Sequence, residues 1–165
     1  MKDDWHVISV QKENVYEWIK KKHYAKRIPA IIYAFGLYDD ELILQGVCSF
    51  GPPPRVMNNG ESVFNKYRVL TLELNRLVVN DGLGKNVLSF FVSKCLTLLP
   101  RPLCVVSYAD HSFGHQGYIY QATNWLYTGL NTIHQREVFV GGKEIHQRTL
   151  SLQGHTSSSK YAKEN

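Results

Sequence analysis

Residues 105–129, VVSYADHSFGHQGYIYQATNWLYTG, concentrate side chains that can do chemistry. The stretch begins as an apolar, strand-like run, reaches Asp110, crosses a turn rich in Gly and His, and enters a segment dense in Tyr, Gln, Asn and Trp. A helix meant only to fill a core would use Leu, Ala and Val. These side chains both stack and hydrogen-bond, which suits a pocket for a flat polar molecule or an acyl carrier. Tyr120 is a candidate proton donor to a leaving thiolate, or a ring on which substrate stacks. The spacing predicts a helix over 117–126, with Tyr120, Asn124 and Tyr127 along one face.

Two carboxylates are candidate general bases. Glu73 stands amid apolar residues in YRVLTLELNRLVV. A carboxylate there is costly unless paired, or it has its pKa raised by desolvation for proton transfer. Asn75 shares its face of a regular strand, and Arg76 falls on the opposite face unless the strand bulges. A buried Glu–Arg ion pair is the structural alternative. Asp110 ends the next predicted strand, where open α/β sheets bind ligands, although it could equally cap a helix or turn. His111 and His115, with Asp110 and with His23 from across the fold, are a weak metal-ligand pattern, and the metal is left unknown.

The turn NDGLGKN, 80–86, lies between a predicted strand and a predicted helix. Gly82 and Gly84 let backbone N–H groups approach a ligand, the helix start adds partial positive charge, and Lys85 adds a full one. Asn80, Gly82, Gly84, Lys85, Asn86 and, from the later helix, Asn124 are therefore expected to contact a phosphate-bearing cofactor. The turn is not a P-loop, because no Ser or Thr follows Lys85 to hold magnesium.

A basic cluster, Lys20, Lys21, Lys22, Lys26 and Arg27, is interrupted by His23 and Tyr24 and closed by Pro29. It reads as a solvated helix end or as a phosphate-contacting surface beside a reactive centre. In the second reading Lys20, Lys22, Lys26 and Arg27 hold a nucleic-acid backbone, and His23 or Tyr24 shuttles a proton.

The elements that must position these groups follow from pattern. Residues 14–22 read as a helix with Asn14 as its cap. A hairpin turns at Asp39 and Asp40. Gly51 and three prolines open a polar loop. The strand over 67–79 alternates Leu70, Leu72 and Leu74 against Thr71, Glu73 and Asn75. Helix 85–99, strand 103–108, helix 117–126 and a terminal hairpin around Gly141 and Gly142 complete the order. One mixed, mostly antiparallel sheet with helices on both faces accommodates it, an α/β fold. Residues 1–153 are expected to form a single domain and 154–165 a flexible tail.

With 165 residues, 44% hydrophobic and 12% aromatic, the chain is long enough for a proper core. It has no apolar signal core and no run long enough to span a membrane, which leads to a cytoplasmic expectation. Cys48, Cys95 and Cys104 are odd in number and lie in apolar segments, so they read as reduced core residues. The net charge is +5, from 19 Lys and Arg against 14 Asp and Glu.

The strand, glycine turn, helix and following strand–helix pair resemble the GNAT acyltransferase superfamily. There the strand carries a general base and the turn grips the coenzyme A pyrophosphate. More narrowly, HYAKRIP, LELNRLVVND, SYAD and GYIYQATNWLYTG, in this order, resemble the Mom family of phage DNA adenine modification proteins. That resemblance implies a GNAT-like transferase that converts the N6 amino group of adenine in DNA to an acylated, methylcarbamoyl-type form and protects the DNA from host restriction. It implies functional roles for His23, Tyr24, Glu73, Asn75, Arg76, Ser107, Asp110 and Tyr120, with DNA and acetyl-CoA or a related acyl donor as partners, and iron as a further cofactor. In that scheme Ser107, Asn75 and Arg76 belong to the substrate side. The rival expectations are a general N-acetyltransferase using acetyl-CoA on a small-molecule or protein amine, and a non-catalytic DNA-binding protein on the same scaffold.

Overall fold

The computed structural model describes residues 4–53, 70–110 and 114–129, and the backbone of 137–140 and 143–146. Five strands form one sheet in the order β1 to β5: Trp5–Val10, Tyr33–Asp39, Leu44–Gly51, Thr71–Val79 and Cys104–Val106. The first four are antiparallel neighbours, whereas β4 and β5 run parallel. Helix α1 (Glu13–Lys22) follows β1, α2 (Val87–Leu98) joins β4 to β5, and the short α3 (Tyr118–Ala122) follows β5. The expected mixed, mostly antiparallel sheet with a helix on each face is the observed one.

Alternation in the central strands explains the two layers. Phe35, Leu37, Cys48, Phe50, Leu72 and Leu74 point to one face and pack under Val87, Phe91, Val92 and Cys95 of α2. Their neighbours Ala34, Val47 and Val78 point to the other face, under Val15 and Ile19 of α1. Fully burying one such side chain contributes roughly 1.5–3 kcal/mol, so these two seams set where α1 ends and α2 begins. Cys48, Cys95 and Cys104 are free thiols, the first two buried. Leu98 at the end of α2 is 51% exposed, whereas Leu99 after it is buried.

Three elements differ from expectation. β1 is an additional edge strand. Its signal is masked because Ile8 and Val10 alternate with Trp5 and Val7, so both faces read as apolar, and Ile8 stays 46% exposed. α1 begins at Glu13, with Lys12 at the cap and no side-chain capping bond, rather than at an Asn14 cap. The helix expected over 117–126 stops at Ala122. Asn124 adopts a left-handed φ of 61°, its N–H bonds the Gln121 carbonyl, and the Trp125 N–H returns to the Tyr120 carbonyl at 3.0 Å. This is a Schellman cap, with Trp125 packed on Tyr120 as the accompanying apolar contact. Asn124 and Tyr127 therefore share no helical face with Tyr120.

By its internal contacts the chain divides into residues 1–126 and 127–165. In the second unit β6 (Glu137–Val140) and β7 (Lys143–His146) form an antiparallel hairpin, as the glycine pair predicted. The Pro-rich loop beyond Pro53 and the tail over 154–165 lie outside the described residues.

Candidate active site

The site grows from an irregularity in β4. Ser49 pairs with Arg76 and Phe50 with Leu74, so Asn75 is the extra residue of a β-bulge. The bulge reverses the alternation. Leu72 and Leu74 face α2, and so do Leu77 and Val79, while Val78 faces α1. Arg76 is thereby turned to the side of Glu73, the outcome that a regular strand forbids.

Asn75 and Arg76 hold the segment leaving α1. The Arg76 guanidinium donates from Nε and Nη2 to the Arg27 carbonyl at 3.2 and 3.1 Å. Asn75 Nδ2 donates to the Ala30 carbonyl at 3.0 Å, and its Oδ1 accepts from the Ser49 hydroxyl at 2.7 Å. Gly51 lies so close that a Cβ there would overlap the Ala30 carbonyl. Residues 27–30 thus form a strap clamped to the sheet, and the two polar side chains expected on the substrate side spend hydrogen bonds on its backbone.

The strap and α1 deliver His23 and Tyr24. Seams at Val15 and Ile19 fix the helix, and the His23 N–H closes its last turn on the Ile19 carbonyl. His23 is buried, with 7% of its surface exposed. Burial first, then the nearby Arg76 and His115, push its pKa down to about 4. Its ring lies 4.3 Å from that of Tyr24, and Tyr24 in turn meets His115 edge-on at 5.2 Å. Burial raises the Tyr24 pKa; Asp110, Tyr120 and Glu73 raise it further and Arg76 opposes them. Tyr24 is therefore the point on which charged and polar groups from β4, the segment after β5 and α3 all act.

The parallel β4–β5 ladder explains how Asp110 and Tyr120 arrive. It covers only Thr71–Cys104, Leu72–Val105 and Glu73–Val106. Beyond it Ser107 bridges the strands: its hydroxyl lies 3.0 Å from the Leu74 carbonyl and 2.7 Å from the Tyr120 hydroxyl. A carbonyl only accepts and a serine carries one proton. Both contacts are satisfied when Tyr120 donates to Ser107 and Ser107 donates to Leu74. Burial raises the Tyr120 pKa, so the phenol is protonated at neutral pH and can donate to Ser107.

The glycine turn has an open geometry. Gly82 takes φ +77° with nothing near the position of a Cβ, Asn86 is left-handed, and α2 starts with no side-chain cap and no acid in its first turn. Gly84 and Lys85 are exposed. Such a helix start is electrostatically suited to a phosphate. Asn80 differs from its neighbours: its Nδ2 donates to Gln45 Oε1 at 2.7 Å and its Oδ1 accepts from Lys22. Lys22 also lies over the Trp18 ring at 4.1 Å, so its charge is partly engaged within the protein. Lys20 and Lys26 are exposed and Arg27 is half-buried, all near His23 in sequence. Lys21 pairs with Glu17 at 2.8 Å.

Among the described residues iron finds no ligand set: no three His, Cys, Asp or Glu side chains converge to hold a metal ion, and His111 lies outside them. His23 is also unsuited, because its Nδ1 accepts the Ala25 N–H at 3.1 Å. A neutral imidazole bound to metal through Nε2 carries its proton on Nδ1, which would then face another N–H.

Sequence reasoning missed the Ser107–Tyr120 pairing and the strap. The only signal for the pairing was the coincidence of Ser107 and Tyr120 within one unusual stretch. For the strap there was the unexplained NR pair before an apolar strand end.

The model of the Mom protein family matches residues 4–165 of this chain. No curated protein matches it. Among solved structures, a protein from Deinococcus radiodurans R1 described as a "putative acetyltransferase" is similar, with 9% identity, 79% of this chain and 89% of that chain covered, and a TM-score of 0.48. That likeness is too slight to bear on this chain's chemistry. Among the described residues no helix is long and apolar enough to cross a membrane.

Proposed function

We propose that this chain, which belongs to the Mom protein family, is a transferase that modifies the N6 amino group of adenine in DNA with an acyl-type, methylcarbamoyl-like group and so shields the DNA from restriction. The observation that carries the reading is the cluster of the His23 and His115 rings about Tyr24, directly after the basic end of α1, with centroids 4.3 and 5.2 Å from that of Tyr24. Asp110, Tyr120 and Glu73 push the Tyr24 pKa up after burial, and Arg76 opposes them.

Adenine N6 is a weak nucleophile because its lone pair is delocalised into the ring. It needs a base at its proton and an electrophile held in line. In a duplex it is also paired, so the nucleotide must be extruded or single-stranded. Lys20, Lys26 and Arg27 supply charge for the backbone, and the exposed part of Tyr24 offers a ring for the base. Asp110, or Glu73 across the β4–β5 junction, takes the N6 proton. Tyr120, held in place by Ser107, turns its phenol proton from Ser107 to the leaving group.

The acyl donor supplies an activated carbonyl when bound. Gly82, Gly84, Lys85 and Asn86 would hold its phosphates at the start of α2, and Asn80 shapes that turn through Gln45 and Lys22 rather than by contact. Asn124 serves the α3 cap.

Mass spectrometry of nucleosides from cells expressing the chain tests the reading. A new modified deoxyadenosine, lost in Asp110→Asn, is the expected result. Unmodified DNA beside an acylated small amine would favour a general N-acetyltransferase and overturn it.

A further inference from the structure

His23 carries a geometric constraint that settles which proton transfers it can perform. Its Nδ1 lies 3.1 Å from the Ala25 backbone nitrogen. A backbone N–H only donates, so Nδ1 is the bare acceptor nitrogen, and the single proton of the neutral ring sits on Nε2. The Arg76 guanidinium, itself fixed on the Arg27 carbonyl, opposes a second proton, as do burial and His115. The arrangement is local: His23 closes α1 and Ala25 lies in the turn that follows, where the Lys26 N–H bonds the His23 carbonyl at 2.9 Å. The ring is further confined by Tyr24. Among the described residues Nε2–H has no hydrogen-bond partner, while the rest of the ring is fixed.

We infer that His23 is a preset neutral N–H donor, which hydrogen-bonds through Nε2 to an acceptor nitrogen of the purine ring and neither abstracts nor shuttles a proton. This rests on the adenine reading above and removes His23 from the proton-shuttle role expected from the sequence; proton removal stays with the carboxylates. The chemistry is coherent. A hydrogen bond to a ring nitrogen withdraws electron density from the ring and makes the N6 proton easier to remove. A neutral donor does this without the cost of placing an imidazolium beside Arg76. The protons balance: the N6 proton goes to a carboxylate, the leaving group receives one from Tyr120, and His23 ends with the proton it began with.

Nitrogen-15 NMR of histidine-labelled protein tests the tautomer directly, with the His23 signals assigned by their loss in His23→Gln. The expected spectrum shows a bare Nδ1 and a protonated Nε2, unchanged from pH 6 to pH 9. A proton on Nδ1, or a doubly protonated ring within that range, overturns the inference. Addition of a single-stranded oligonucleotide containing adenines should move the Nε2–H signal, and the same strand with abasic sites should not. Equal movement by both strands also overturns it.

In cells, His23→Asn keeps an acceptor near Nδ1 and removes the Nε2 donor, whereas His23→Gln keeps a donor near Nε2. Modified deoxyadenosine should fall about a hundredfold in the first and within about tenfold in the second, the scale of one preorganised donor. The reverse order, or an equal loss in both variants, would show that a donor at Nε2 is not what His23 supplies and would overturn the inference. Absence of modified adenine from cells expressing the unaltered chain would refute the adenine reading, while the tautomer measurement still stands or falls by itself.

Discussion

The Tyr120 hydroxyl lies 2.7 Å from the Ser107 hydroxyl, which also reaches the Leu74 carbonyl. The phenol is therefore fixed to the middle of β4 through one side chain. Tyr120→Phe leaves Ser107 bonded to Leu74, so the fold should lose no more than about 1.5 kcal/mol in urea unfolding. The yield of modified deoxyadenosine should fall about 10²- to 10⁴-fold, the usual range for a lost acid. Unchanged yield would remove Tyr120 from the chemistry. Ser107→Ala instead strips a partner from both neighbours and should cost about 1–3 kcal/mol.

The low pKa of His23 has a sign that can be measured. The folded value is near 4, below the ordinary 6.5. As pH falls through about 6.5 the unfolded chain takes up this proton before the folded one does. Stability contributed by the neutral ring is thus complete above about pH 6.5 and declines towards pH 4. Thermal melting at a series of pH values should show the decline, and His23→Gln should make it shallower. Identical slopes for the two proteins would contradict the assigned shift.

The strap over 27–30 depends on Arg76. Arg76→Lys cannot place two N–H groups on the Arg27 carbonyl. It should lower stability by about 1.5–3 kcal/mol and speed amide exchange at Ala25 and Lys26. Exchange unaltered there would show that the clamp is not what holds the strap.

Gly51→Ala tests the same contact from β3. The added methyl would overlap the Ala30 carbonyl and come 2.6 Å from Asn75 Nδ2. Overpacking of this kind costs about 1–3 kcal/mol. A melting temperature equal to that of the unaltered protein would mean that residue 30 moves away freely.

DNA binding should be electrostatic and shared among Lys20, Lys26 and Arg27. Each Ala substitution should reduce the slope of log affinity against log salt by about 0.9 on duplex DNA. Fluorescence anisotropy across a salt series measures this directly. A slope indifferent to all three substitutions would move the DNA-binding surface elsewhere.

The sequence by itself determined the layers. The leucine alternation in β4, the Asp39–Asp40 turn and the strand–glycine turn–helix order led to a mixed sheet with a helix on each face, because burial periodicity is a local property of the chain. It also brought forward the chemically capable residues, since their types are unusual for a core. The edge strand β1 escaped because both of its faces are apolar. Where the side chains point was decided only in three dimensions. The bulge at Asn75 arises from pairing with β3, and pairing is not encoded in β4 alone, yet it brings Arg76 to the side of Glu73. Asn124 left the helix because the Trp125 N–H found the Tyr120 carbonyl. His23 received its tautomer from the backbone of Ala25, whose N–H points at Nδ1 only after α1 has ended. Residue types set what chemistry was available, and long-range pairing with backbone hydrogen bonding set which of it each residue performs.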